Sequence, residues 1–192
     1  SFYGTKNITC GEGGMITTNS KEYAENAKLF RQHGRSNMAS YEYEGLGYNY
    51  RATDISAAIL LEQLKKIEII TKRRIENAEY LSKNLGKING IKVPDAKRDG
   101  SHVFHQYTIR VLENFKLNRN ELNEHLNKKG IGTGIYYPKP LHLLLHLKKF
   151  GYNKGDFPIA EKLSNQVISL PVHPYLAKEQ LDYIINAIKE VE

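Results

Sequence analysis

The chain has 192 residues, of which 40% are apolar and 26% charged, enough for one good-sized domain or a part-domain joined to a smaller one, and not the composition of a disordered tail. Its formal charge of +7 is spread along the chain, with 28 basic residues among 21 acidic ones; this excludes the clustered basic stripe of a nucleic-acid binder and fits a solvated surface or a cleft for diphosphate-bearing small molecules. Cys10 is the only cysteine, so no intrachain disulfide forms and a cytoplasmic location is expected; no apolar run approaches the length needed to cross a membrane.

Residues 1–13 read as loop and tight turn, followed by a strand over 14–18. Asn19 or Ser20 caps a helix over residues 21–32, which His33 and Gly34 end. The stretch 35–50, with Gly45, Gly47 and four tyrosines, has no clear period and reads as a long loop, the kind that is often functional. Thr53 or Asp54 caps the next helix. Its apolar positions, from Ala57 and Leu60 to Leu81 and Leu85, recur at helical spacing and predict one long helix, bent near residue 71, bridging two bodies. Short strands are expected at 91–93, 102–111 and 131–137, the last stopped by Pro138 and Pro140. Asn118 caps a helix over 119–129, Phe157-Pro158 opens one to about residue 168, and a helix over 178–191 faces Leu181, Ile184, Ile185 and Ile188 inward. This alternation predicts a small antiparallel sheet covered by helices.

Three constellations carry candidate chemistry. Lys6 stands between Ser1 and the turn Gly11-Glu12-Gly13-Gly14. An amine, a nearby hydroxyl and a close-approach turn are what an enzyme needs to anchor an aldehyde cofactor that bears a phosphate. The segment Gly45-Leu46-Gly47-Tyr48-Asn49-Tyr50-Arg51 places an amide and a guanidinium just before a helix start, an anion site or equally a tyrosine-rich loop packed on the core. Tyr136-Tyr137-Pro138-Lys139-Pro140-Leu141-His142 reads as a rigid substrate-facing loop, with packing as the competing explanation. His142 and His146 are four apart, but no set of ligands completes a metal site around them, so no metal is expected. A P-loop, a dinucleotide fingerprint and a nucleophile elbow are all missing from the sequence.

Taken in order, Ser1-Phe2, Thr5-Lys6-Asn7, Gly11 to Met15, Arg31-Gln32-His33-Gly34, Gly47 to Ala58, Gln63-Leu64, Tyr137 to His142 and Ser169-Leu170-Pro171 resemble the DegT/DnrJ/StrS sugar aminotransferases. The resemblance implies an α/β and α+β architecture. It is that of the C-terminal part of the fold-type I, aspartate aminotransferase-like, PLP transferase fold. Residues 1–70 would be a remnant of the large PLP-binding domain and 71–192 the small C-terminal domain. By the same resemblance Lys6 is the catalytic residue, linked to pyridoxal 5'-phosphate as an aldimine and shuttling the proton. Ser1 binds the cofactor phosphate and Asn49 reaches the phosphate of the neighbouring subunit's cofactor, which implies a homodimer with shared active sites. Tyr137, His142 and Arg51 would bind substrate. The implied reaction moves an amino group from glutamate to a nucleotide-linked keto-sugar, in surface polysaccharide or amino-sugar biosynthesis, without nucleic acid or membrane partners. The family's pyridinium-pairing aspartate, ring-stacking aromatic and glycine-rich phosphate turn would lie before Ser1, so the chain alone is expected to be an inactive, truncated piece that exposes an apolar face. The alternative from another class is a non-catalytic domain that binds a nucleotide sugar or a regulatory partner in the same cleft.

Overall fold

A computed structural model describes residues 1–37, 39, 41–96 and 100–192, which fall into two units, Ser1–Glu68 and Ile69–Glu192. In the first unit, Ser20 accepts the Tyr23 N–H at 3.3 Å and starts α1, Lys21–Arg31. His33 and Gly34 follow at φ 60° and 73°, turning the chain out of the helix. The chain then comes back along the end of α1. Tyr48 N–H donates to Phe30 O at 2.7 Å, His33 N–H to Tyr48 O at 3.0 Å, and Tyr50 N–H to Arg31 O at 3.0 Å. Glycine is required for this return: a Cβ on Gly47 would lie 2.0 Å from Gly34 N. The expected loop over 35–50 thus has an ordered closing half; positions 38 and 40 lie outside the described residues. The strand expected over 14–18 does not form, because among the described residues no neighbouring strand takes up its N–H and C=O groups.

Thr53 caps α2, Asp54–Leu64, accepting the Ser56 N–H at 3.1 Å. α3 spans Ile67–Leu85. The single long helix expected here is therefore two: Lys66 N–H bonds Gln63 O at 3.0 Å, an i−3 link that interrupts the i−4 ladder. The break falls at residues 65–66, not at 71. Among the described residues the first unit buries no apolar side chain, and α2 leaves Ile55, Leu61 and Leu64 more than half exposed.

The apolar core belongs to the second unit. A three-stranded antiparallel sheet runs β1 (Ile91–Lys92), β2 (Tyr107–Val111), β3 (Val167–Leu170), with β2 central. Tyr107, Ile109 and Val111 point to one face and are buried, while the alternate residues Thr108 and Arg110 meet Ser169 and Gln166 on the other. Around the buried face pack Ala78, Leu81 and Leu85 of α3, Leu122 and Leu126 of α4 (Arg119–Lys128), and the apolar stripe of α6 (Lys178–Lys189). Asn118 and Glu121 form a capping box at the start of α4.

Three sequence expectations fail in this unit for identifiable reasons. The strand expected from 102 starts only at 107, because Phe104 sits at φ 41° and its N–H bonds His102 Nδ1 at 2.9 Å. The strand expected over 131–137 shrinks to one bridge, Gly134 to Ser169: the Tyr136 ring folds back over Gly134, where a Cβ would lie 2.3 Å from it. The helix α5, Pro158–Gln166, stops before residue 168, and Val167–Leu170 instead pairs with β2. β-Branched Val167 and Ile168 favour that outcome once an edge of β2 is open.

Ile109 is fully buried in the central strand, so Ile109→Ala should remove about 2–5 kcal/mol of stability, read from urea unfolding. Tyr107 has its hydroxyl 2.9 Å from Ser82 Oγ; burial pushes its pKa up to about 12, and the Ser82 hydrogen bond works the other way. The phenol stays protonated in the fold while the unfolded chain ionises near its ordinary value, so its stabilisation is intact below about pH 10 and is lost as pH rises to about 12. An alkaline titration followed by phenolate absorbance and circular dichroism should show the Tyr107 phenolate appearing with unfolding. Tyr107→Phe should flatten the fall in stability across that window.

Candidate active site

The Lys6 loop is shaped by backbone bonds across its own turn. Phe2 N–H donates to Gly13 O at 2.8 Å, Cys10 N–H to Phe2 O at 3.1 Å, and Lys6 N–H to Tyr3 O at 2.9 Å. Thr9 Oγ1 donates to Phe2 O and accepts the Gly11 N–H, both at 3.0 Å. A Cβ on Gly13 would meet Cys10 Sγ at 2.9 Å, so the turn closes this tightly only with glycine there. The loop holds Lys6 half-buried and Ser1 exposed a few residues away, and the Ser1 hydroxyl accepts the Tyr3 N–H at 3.5 Å. Among the described residues no carboxylate pairs with the Lys6 amine.

Asn49 stands on a different segment of the same unit, bridged to Gln32 beside the end of α1. Tyr48 and Tyr50 flank it, their rings stacked 5.1 Å apart and both near Phe30. With its neighbours' rings turned to Phe30 and the Asn49 and Arg51 side chains exposed, the segment offers an amide and a guanidinium to solvent. The tyrosines thus pack on Phe30 and on each other while staying exposed, not on a buried core.

Tyr137 and His142 come together in the second unit, where they line a cavity of about 500 Å³ with Lys139, Phe157 and Ser164. Two attachments to β3 position this cavity. Gly134 and Ser169 exchange backbone hydrogen bonds of 3.0 and 2.7 Å, which anchors the chain just before Tyr136-Tyr137. On the other side α5 runs straight into β3 and, with Phe157 just before it, brings Ala160 and Ser164 to the wall. His142 is the middle residue of a short 3₁₀ segment, Leu141–Leu143, after Pro140, and is buried with Nε2 3.0 Å from Glu161 Oε1. Tyr137 stays largely exposed. The Gly155 N–H above all, then the His142 ring, holds the Glu161 carboxyl below the usual carboxylate range, against the opposing effect of burial.

Sequence reasoning passed over Glu161. It lies 19 positions from His142 in a different element, and a glutamate in the first turn of a helix is ordinary dipole-favoured placement. In the sequence Phe157 shows only as a helix opener, although its ring packs 4.8 Å from the His142 imidazole. No spacing rule joins residues that meet only because α5 turns back onto the sheet.

The family model for the DegT/DnrJ/EryC1/StrS aminotransferases matches residues 1–189. The uncharacterized protein MJ1066 of Methanocaldococcus jannaschii is 41% identical, across 100% of this chain and 52% of that protein. The dTDP-3-amino-3,4,6-trideoxy-alpha-D-glucose transaminase of Streptomyces venezuelae is 35% identical, across 99% of this chain and 48% of that protein. The crystal structure of S. venezuelae DesV in complex with a ketimine intermediate matches with a TM-score of 0.90 at 33% identity, over 98% of this chain and 49% of that one. The chain spans about half the length of the curated relatives it matches. Its mixed helices and sheet are thus those of about half of a fold-type I PLP aminotransferase. With nearly every residue inside the family model, the chain belongs to the DegT/DnrJ/EryC1/StrS aminotransferase family.

Proposed function

We propose that this chain carries the lysine loop and the small domain of a PLP-dependent aminotransferase that moves an amino group from glutamate to a nucleotide-linked keto-sugar. The observation that carries the reading is Lys6, half-buried on a glycine-closed turn five residues after Ser1, in a chain that the family model covers almost entirely. The name of the S. venezuelae transaminase, with its dTDP-linked amino sugar, supports a nucleotide sugar as the substrate class. Residues 1–70 are assigned to the large domain and 71–192 to the small one.

The donor set fits the cofactor: a primary amine for its aldehyde and a hydroxyl for its phosphate, on one turn whose glycines let the ring approach backbone. Pyridoxal 5'-phosphate, when bound, supplies that aldehyde and an electron-accepting ring. Lys6 Nζ would hold the cofactor and would serve as the base and acid that moves the proton at the reacting carbon. Ser1 Oγ donates to the phosphate. Asn49 serves the phosphate of a neighbouring subunit, which makes the working form a homodimer. Arg51 lies at the seam, and Tyr137 and His142 hold the nucleotide sugar. The electron sink needs a carboxylate against the ring nitrogen, a role for which none of these residues is a candidate, so the chain by itself is assigned no turnover.

Borohydride reduction after incubation with the cofactor should place one adduct, on the peptide carrying Lys6. Labelling scattered over many lysines, or none, would favour a domain that binds without chemistry. In an enzyme of the relatives' full length, Lys6→Ala should lower glutamate-dependent amino transfer by about 10²–10⁴-fold or more while circular dichroism stays unchanged. Turnover near wild type would sink the assignment.

A further inference from the structure

His142 lines the second unit's cavity with 7% of its surface exposed, and its Nε2 lies 3.0 Å from Glu161 Oε1. The same Oε1 accepts the Gly155 N–H at 2.7 Å. Glu161 stands in the first turn of α5, and Phe157, just before that helix, packs its ring 4.8 Å from the imidazole. One carboxylate oxygen therefore ties together the imidazole, the turn at Gly155 and, through that turn, the aromatic wall. An ionised carboxylate only accepts hydrogen bonds, so the proton in the contact belongs to the histidine nitrogen. The Glu161 carboxyl, held below the usual carboxylate pKa range first by the Gly155 N–H, agrees with an ionised partner.

We propose that Glu161 is a positioning residue that fixes His142 as its Nε2–H tautomer and pins the turn beside it, so that the cavity meets its ligand with Nδ1, an acceptor. A histidine without a fixed partner offers a donor or an acceptor at either nitrogen. Held this way it rewards a ligand that presents an O–H or N–H and leaves a ligand carrying only acceptors unpaired. The bearing of this on amino transfer rests on the reading that Tyr137 and His142 face the sugar nucleotide. The tautomer itself does not rest on that reading.

Nitrogen NMR of the imidazole rings in this chain tests the assignment, with the His142 signals identified by their loss in His142→Phe. The expected spectrum at neutral pH has Nε2 protonated and Nδ1 bare. Glu161→Gln, whose side-chain oxygen still accepts, should keep that pattern, whereas Glu161→Ala should give the averaged shifts of two exchanging tautomers. A wild-type ring protonated on Nδ1, or a Glu161→Ala spectrum identical to wild type, would overturn the proposal. If Glu161→Ala does not fold, the wild-type and Glu161→Gln spectra decide. A wrong tautomer leaves the Lys6 adduct untouched, and a failed adduct leaves these spectra untouched, so the two readings fail separately.

Discussion

Burial of one face of β2 is the constraint on which the second unit depends. Tyr107, Ile109 and Val111 are buried in one cluster with apolar residues of α3, α4 and α6. The hydrophobic gain is non-directional, but the pleat makes it specific: a slip of one residue would turn Thr108 and Arg110 inward and the apolar residues out. Polar links then secure the register from the opposite face, through Thr108 to Ser169 and Arg110 to Gln166. Even Tyr107, buried entirely, meets the rule that an enclosed hydroxyl needs a partner, by its contact with Ser82.

The cavity inherits its shape from this sheet. Residue 134 hangs from Ser169 on β3, and α5 enters the same strand from the other side, so the Tyr137–His142 segment and the Phe157–Glu161 segment converge because one strand holds both. Buried arginines play a comparable structural part nearby: Arg119 donates to Val167 O at 3.1 Å and Arg74 to Phe104 O at 3.0 Å, each closing a carbonyl that the short strands leave open. Burial lowers the pKa of both guanidiniums, a group that stays charged in proteins.

The first unit is organised differently. Its lysine loop and its return segment are held by backbone hydrogen bonds and glycine contacts, and among its described residues no apolar side chain is buried. A helix that is apolar on every side, as α2 is, normally lies within a larger core. Local hydrogen bonding gives the Lys6 turn its form, whereas the second unit draws its form from an apolar core.

Much was legible in the chain itself. Caps at Ser20, Thr53 and Asn118 announce their helices, since a side chain bonding a nearby N–H is a local event. The inward stripe of α6 follows from helical spacing alone, and the ordered series of motifs from Ser1 to Pro171 marked the family without any knowledge of contacts. What the sequence did not disclose depends on distant partners. Residues 14–18 read as a strand but find no edge, while Val167–Leu170, whose first two residues read as the end of a helix, does find one. Glu161 gained its meaning only when folding brought it to His142 across 19 positions. Local features, the caps, the turns and the placing of Lys6 among glycines, were set by the sequence. Which strand has a partner, and which histidine has a carboxylate, was decided by tertiary structure, because those bonds exist only between segments that the buried core brings together.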